Sequence, residues 1–193
     1  MATYEYGRIA TLARELERAG VPPEVSARIL EGGEAILRRS KPQVKTEWLR
    51  QAMQRMDALL DEETRHAIRE ACACCLAGER GKQSKAIGKR GGSLAERVAA
   101  ANAATLVFGH SVTLEEDGRV LVRFAPEGLD HYRCACLALP KEPMSLTYCY
   151  CCGGHVKHHL QNALGCALKA EVLTSALASV GKQPCTFRFS LVE

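Results

Sequence analysis

Val112-Thr113-Leu114-Glu115-Glu116-Asp117-Gly118-Arg119-Val120-Leu121-Val122-Arg123-Phe124 is the stretch in which the chain changes period. Val112 and Leu114, then Val120, Val122 and Phe124, fall on alternate positions either side of Glu116-Asp117-Gly118, the pattern of a β-hairpin. Upstream, apolar residues recur at helical spacing; downstream, strand patterns are frequent. The switch predicts an α+β chain in which N-terminal helices pack with an antiparallel sheet.

Working back from the hairpin, Ser93-Leu94-Ala95-Glu96 has the form of a capping box and predicts a helix to about residue 105. Residues 79–90 carry Arg80, Lys82, Lys85, Lys89 and Arg90 against Glu79, and account for much of the net charge of +4. Punctuated by glycines, they read as an exposed loop or a loosely anchored helix. Lys82, Lys85, Lys89 and Arg90 are candidates for contact with an anionic ligand, although neither Gly-Lys pair has the spacing of a phosphate loop. Asp61 can cap a helix running to Gly78, with Cys72 and Cys75 on one face. Pro42 opens another, whose stripe Val44, Trp48, Ala52, Met56 and Leu59 reads as core. Two further helices are expected over residues 6–19 and from Pro23. The second carries Val25, Ile29 and Ile36 and is weakened at Gly32-Gly33 by about 1 kcal/mol per glycine relative to alanine.

Working forward, residues 133–138 and 146–151 read as strands separated by a turn between Pro140 and Pro143. Alternation places Cys134 and Cys136 on one side, and Cys149 and Cys151 likewise. Paired as a hairpin, they would line one face with four thiols. Gly153-Gly154 then ends the strand, and a helix follows over residues 155–164. Residues 168–180 are ambiguous between helix and strand, whereas residues 185–191 alternate as a strand. The division expected is a helical region over residues 1–92 and a cysteine-rich, ligand-binding α+β region over residues 93–193.

Eight of the ten cysteines fall in three clusters, Cys72-Ala73-Cys74-Cys75, Cys134-Ala135-Cys136 and Cys149-Tyr150-Cys151-Cys152. Burial alone sets no spacing between thiols, so clustering points to sulfurs gathered for chemistry. With no apolar leader and no membrane-length apolar run, the expected location is the cytoplasm, where thiols stay reduced and serve metal or catalytic chemistry. Zinc is the expected cofactor, with Cys72, Cys75, Cys134, Cys136, Cys149 and Cys151 as candidate ligands. An iron–sulfur cluster ranks lower, because the usual ferredoxin spacings are missing. The catalytic alternative is a Cys151 or Cys152 thiolate at a helix start, held by His155. His155 and His159 are four apart and can face one site; Cys166 and Cys185 read as core thiols. Basic residues are not interleaved with aromatics, which argues against nucleic acid as a partner. A small-molecule ligand is expected, and a homodimer is compatible with the sequence.

The paired cysteines, the Gly-rich turn, the amphipathic helix, the extended segment ending near Gly181 and the closing Cys185-Thr186-Phe187-Arg188-Phe189 resemble the 4-vinyl reductase small-molecule-binding domain. They are similar also to its relatives, the L-2-amino-thiazoline-4-carboxylic acid hydrolases. The resemblance covers about residues 105–193. It implies helices on an antiparallel sheet enclosing a pocket for a small organic ligand. The function expected is a metal-containing small-molecule-binding protein, the alternative being a hydrolase of a small cyclic C–N or C–S substrate.

Overall fold

The computed structural model describes residues 3–192. α1 (Gly7–Arg18) buries Ile9, Leu12 and Leu16. α2 (Pro23–Ile29) starts on a proline, whose missing N–H costs nothing at a first helical position. It ends before the glycine pair: Gly32 turns at φ +72°, and the following Gly33 is overlain by the Trp48 ring. α3 (Pro42–Leu59) buries Trp48, Leu49, Ala52, Met53 and Met56, so the Trp/Met stripe is core. α4 (Glu62–Ala71) is capped by Asp61, whose carboxylate accepts from the Thr64 amide at 2.8 Å.

The basic segment is a helix, α5 (Gly78–Arg90), with Gly81, Ser84 and Ile87 buried and Lys82, Lys85, Lys89 and Arg90 exposed. Of the two readings, loop or loosely anchored helix, the helix is the one formed, and its contact with the protein is made largely by small residues. A Cβ added at Gly88 would overlap the Asn162 carbonyl oxygen, so the backbones approach there as only glycine permits. α6 (Leu94–Asn102) has the expected capping box, and the single turn α7 (Thr105–Phe108) leads into the hairpin.

Strands β1 (Ser111–Leu114) and β2 (Val120–Arg123) form that hairpin. After an irregular stretch come a 3-10 turn (Leu146–Cys149), α8 (Tyr150–Leu164), β3 (Leu168–Thr174) and β4 (Thr186–Leu191). The sheet is antiparallel throughout, in the order β1-β2-β4-β3. Register places Val122 opposite Phe187, and Phe187 opposite Val172; one row along, Val120, Phe189 and Ala170 align. These buried side chains share one face, and α8 packs against β3 on it, with Gly153 over Ala170, Val172 and Phe187. The chain is therefore α+β, with α4, α5 and α6 covering the outside of α8.

Three local expectations are corrected. α4 stops at Ala71, so Cys72 is its C-cap and Cys75 sits beyond it at φ +62°; no helical Cys72–Cys75 claw forms. Residues 133–138 are not a strand, because the Cys136 amide folds back onto the Cys134 sulfur at 3.3 Å in a tight local turn. Residues 146–151 are not a strand either: the Ser145 hydroxyl accepts from the Thr147 amide at 3.1 Å and starts the 3-10 turn, which runs directly into α8. Gly153 and Gly154 thus lie inside α8 and do not terminate a strand. The β preference of Tyr, Thr and Cys here yields to tertiary context.

Candidate functional site

Residues 124–145 have no regular secondary structure, yet they are pinned at three points. The Tyr132 amide donates to the Gly181 carbonyl at 2.9 Å, the Met144 amide to Leu177 at 3.2 Å, and the Thr46 hydroxyl to Ala138 at 3.1 Å. A long loop held in this way presents its tip at a fixed place. That tip carries Cys134 and Cys136.

The first turn of α8 brings Cys151 and Cys152 to the same place, and α4 brings Cys72. The α4–α8 approach depends on Gly154, where an added Cβ would lie 2.5 Å from the Glu70 carbonyl oxygen. Lys157 of α8 closes this contact with an ion pair to Glu70 at 2.7 Å. The chain leaving α4 is then clamped by histidines. His155 Nδ1 is 2.9 Å from the Cys74 carbonyl oxygen and His159 Nε2 is 3.1 Å from that of Cys75, so each of these nitrogens carries the proton and donates. The two rings touch edge to face, 4.6 Å between centroids. The expected pairing of His155 with His159 on one face is present, but it serves backbone carbonyls of the cysteine loop. Burial pulls both imidazoles down, His159 to about 4, so they are neutral near pH 7.

The sulfurs form a chain. Cys136 and Cys152 are 3.7 Å apart, well beyond a disulfide bond. The Cys136 amide donates to the Cys134 sulfur, and Cys151 adjoins Cys152 in the first turn of α8. Contact with the Cys134 and Cys152 sulfurs, with the Arg8 guanidinium contributing, pulls the Cys136 thiol below its ordinary value. Cys134 and Cys152 are pushed up by the same contacts and by burial. Cys151 is brought to about 7 by its contact with Cys152, against its burial and with the help of Arg69. Cys149 stands apart: it is buried in the core with its sulfur 2.9 Å from the Ser175 hydroxyl, and burial raises its thiol. Cys74 and Cys75 are exposed, their sulfurs 3.7 Å apart. All ten cysteines are free thiols. Among the described residues, no three His, Cys, Asp or Glu side chains converge as a bound metal ion requires.

Cavities open on both sides of this sulfur wall, and Cys74, Cys136 and Cys151 line both. One, of about 510 Å³, is bounded by α1, α4, Tyr148 and five basic side chains. The other, of about 450 Å³, is more apolar, with Leu106, Val107 and Phe124 in its wall beside Cys152 and His155. Lys82, Lys85, Lys89 and Arg90 line neither. The cationic residues at the sulfurs are instead Arg8 and Arg69 in the first cavity and Arg80 and Arg133 in the second, none of them a site candidate from sequence. Arg69 did leave a signal: it is three residues before Cys72, on the buried side of α4 beside Ile68, where an arginine has no business unless it serves a site.

A family model described as a family of unknown function (DUF6144) matches residues 19–193. The chain belongs to that family. No curated protein and no solved structure matches it. The match takes in α4, α8 and the cysteine loop, and hence all the sulfurs of the wall, but α1 with Arg8 lies outside it. Among the described residues, no helix is long and apolar enough to cross a membrane.

Proposed function

We propose that this chain binds a small organic molecule at the sulfur wall and that Cys136 is the thiolate that meets it. The observation that carries this reading is the position of Cys136, whose sulfur lies 3.7 Å from that of Cys152 and opens on both cavities, one of them lined also by Arg8. A thiolate stabilised by donors and a nearby guanidinium is the reactive form of cysteine. The reaction class open to it is nucleophilic addition to an electrophilic carbon, as in opening a small cyclic C–N or C–S substrate. The resemblance of residues 105–193 to small-molecule-binding domains of the 4-vinyl reductase type supports the same ligand class. His155 is a positioning residue in this scheme, since it fixes the Cys74 carbonyl and has no bond to a wall sulfur.

The test is alkylation of the folded chain with iodoacetamide at pH 7, followed by peptide mass mapping. Cys136 should be modified at least tenfold faster than Cys75, although Cys75 is the more exposed. Labelling of Cys136 no faster than Cys75 would overturn the reading.

One observation favours a second reading. Tetrahedral zinc with Zn–S bonds of about 2.3 Å sets its sulfurs about 3.8 Å apart, close to the 3.7 Å between Cys136 and Cys152. Rotation of Cys134 and Cys151 about their side-chain bonds would supply the remaining ligands. In that case purified protein carries about one zinc per chain, and Cys136 becomes alkylatable only after chelation. An iron–sulfur cluster would declare itself by visible absorbance.

A further inference from the structure

Tyr148 holds a guanidinium on each of two sides. Arg8 of α1 donates to its hydroxyl. Arg69 of α4 lies over its ring, 4.8 Å from guanidinium carbon to ring centroid, and donates from Nη2 to the Tyr148 carbonyl at 3.2 Å. Arg69 is 3% exposed, and its Nε has no hydrogen-bond partner. Among the described residues neither arginine has a carboxylate partner. A guanidinium cannot shed its proton to escape burial, and a buried charge without an opposite partner is costly.

Both arginines line the cavity of about 510 Å³, to which Arg14, Arg38 and Lys45 add positive charge and no Asp or Glu adds negative. Arg14 is committed to Glu15 at 3.0 Å, and Lys45 to the Arg38 carbonyl at 2.7 Å and the Tyr6 ring. Among the described residues, Arg8 and Arg69 are held by Tyr148 alone and not by any carboxylate, which leaves the Arg69 Nε without a partner. We infer that this cavity binds a small organic acid, its oxyanion held between Arg8 and Arg69 and its body directed along Tyr6 and Thr11 toward the sulfur wall. The volume exceeds that of a bare ion and falls in the range of small-ligand pockets. Guanidinium groups hold carboxylate and phosphate alike through paired N–H donors, so the oxyanion is the recognised feature. No sulfur is among its donors, so the site goes beyond the thiolate reading and does not depend on it.

The experiment uses the full chain and four probes: acetate, benzoate, inorganic phosphate and phenyl phosphate, with benzyl alcohol as the neutral match at equal ionic strength. At least one oxyanion should raise the melting temperature saturably where benzyl alcohol does not, and the tighter head group identifies the class of acid. Calorimetric titration should show affinity reduced tenfold or more in Arg8→Gln. Arg69→Lys keeps the charge but loses the paired donors, and should weaken binding severalfold; it serves also if Arg8→Gln does not fold. Saturable oxyanion binding by a chain whose Cys136 is alkylated no faster than Cys75 would fail the thiolate reading and leave this one standing, so the two failures are distinguishable. No oxyanion effect beyond that of benzyl alcohol, or unchanged affinity in both arginine variants, overturns the inference.

Discussion

Gly153 and Gly154 are neighbours on α8, and exchanging each for alanine should move stability in opposite directions. Helix propensity alone favours alanine by up to about 1 kcal/mol at either position. At Gly153 the new Cβ would meet Ala170, Val172 and Phe187 side chains at 3.8 Å, an ordinary contact, so Gly153→Ala should stabilise by about 1 kcal/mol. At Gly154 it would meet Glu70 backbone atoms at 2.5, 2.9 and 3.1 Å, none of which can rotate away. α4 must then withdraw, and overpacking of this kind costs typically 1–3 kcal/mol. Three contacts with backbone put the cost in the upper part of that range, about 2–3 kcal/mol, so against the propensity gain a net loss of about 1–2 kcal/mol remains, and the Lys157–Glu70 ion pair is strained with it. Urea denaturation followed by circular dichroism, with the midpoint and slope compared across the three proteins, measures this directly. Because α4 carries Arg69 and Cys72, Gly154→Ala should also slow alkylation of Cys136. A Gly154→Ala protein as stable as the parent, or more so, would refute the claim that backbone contact at this glycine sets the site.

Protonation of His159 should cost stability in acid. Its folded value is near 4 against 6.5 ordinarily, so stability falls as pH drops from about 6.5 to 4 and levels off below. Allowing for solvent screening, the loss is of the order of 2 kcal/mol, and His159→Gln should flatten that part of the stability curve. Cys149→Ala should destabilise by about 1–2 kcal/mol through its lost contact with Ser175 while leaving the alkylation rate of Cys136 unchanged. A slowed rate would place Cys149 in the site after all.

The helices, the hairpin and the closing strand were legible because each has a local cause. Pro42, Asp61 and the Ser93–Glu96 box mark helix starts, and Glu116-Asp117-Gly118 marks a turn whatever surrounds it. Residues 133–138 and 146–151 were misread because their alternation is genuine but local bonds turn the backbone: the Cys136 amide donates to the Cys134 sulfur and the Thr147 amide to the Ser145 hydroxyl. For α5 the sequence left loop and loosely anchored helix open, because its contacts are made through glycine and serine, which hydrophobic periodicity does not register. The clustering of cysteines was legible, and two of the clusters do meet, at Cys136 and Cys152. Spacing could not reveal that Cys149 turns away, nor that Arg8, almost 130 residues upstream of Cys136, arrives to face it.

The strand order β1-β2-β4-β3 bears on how the chain is made. Of the four described strands β4 leaves a ribosome last, yet it is the one that joins the hairpin to β3. The roughly sixty residues between β2 and β4 take about 3–13 s to synthesise at ~5–20 residues per second. Through that interval the hairpin stands as two strands, marginal in water, with Val120 and Val122 uncovered. α8 meanwhile has emerged with nothing beneath Gly153. The sulfur wall therefore assembles only after synthesis has passed it by some forty residues, and until then its thiols are open to any oxidant or metal the nascent chain encounters.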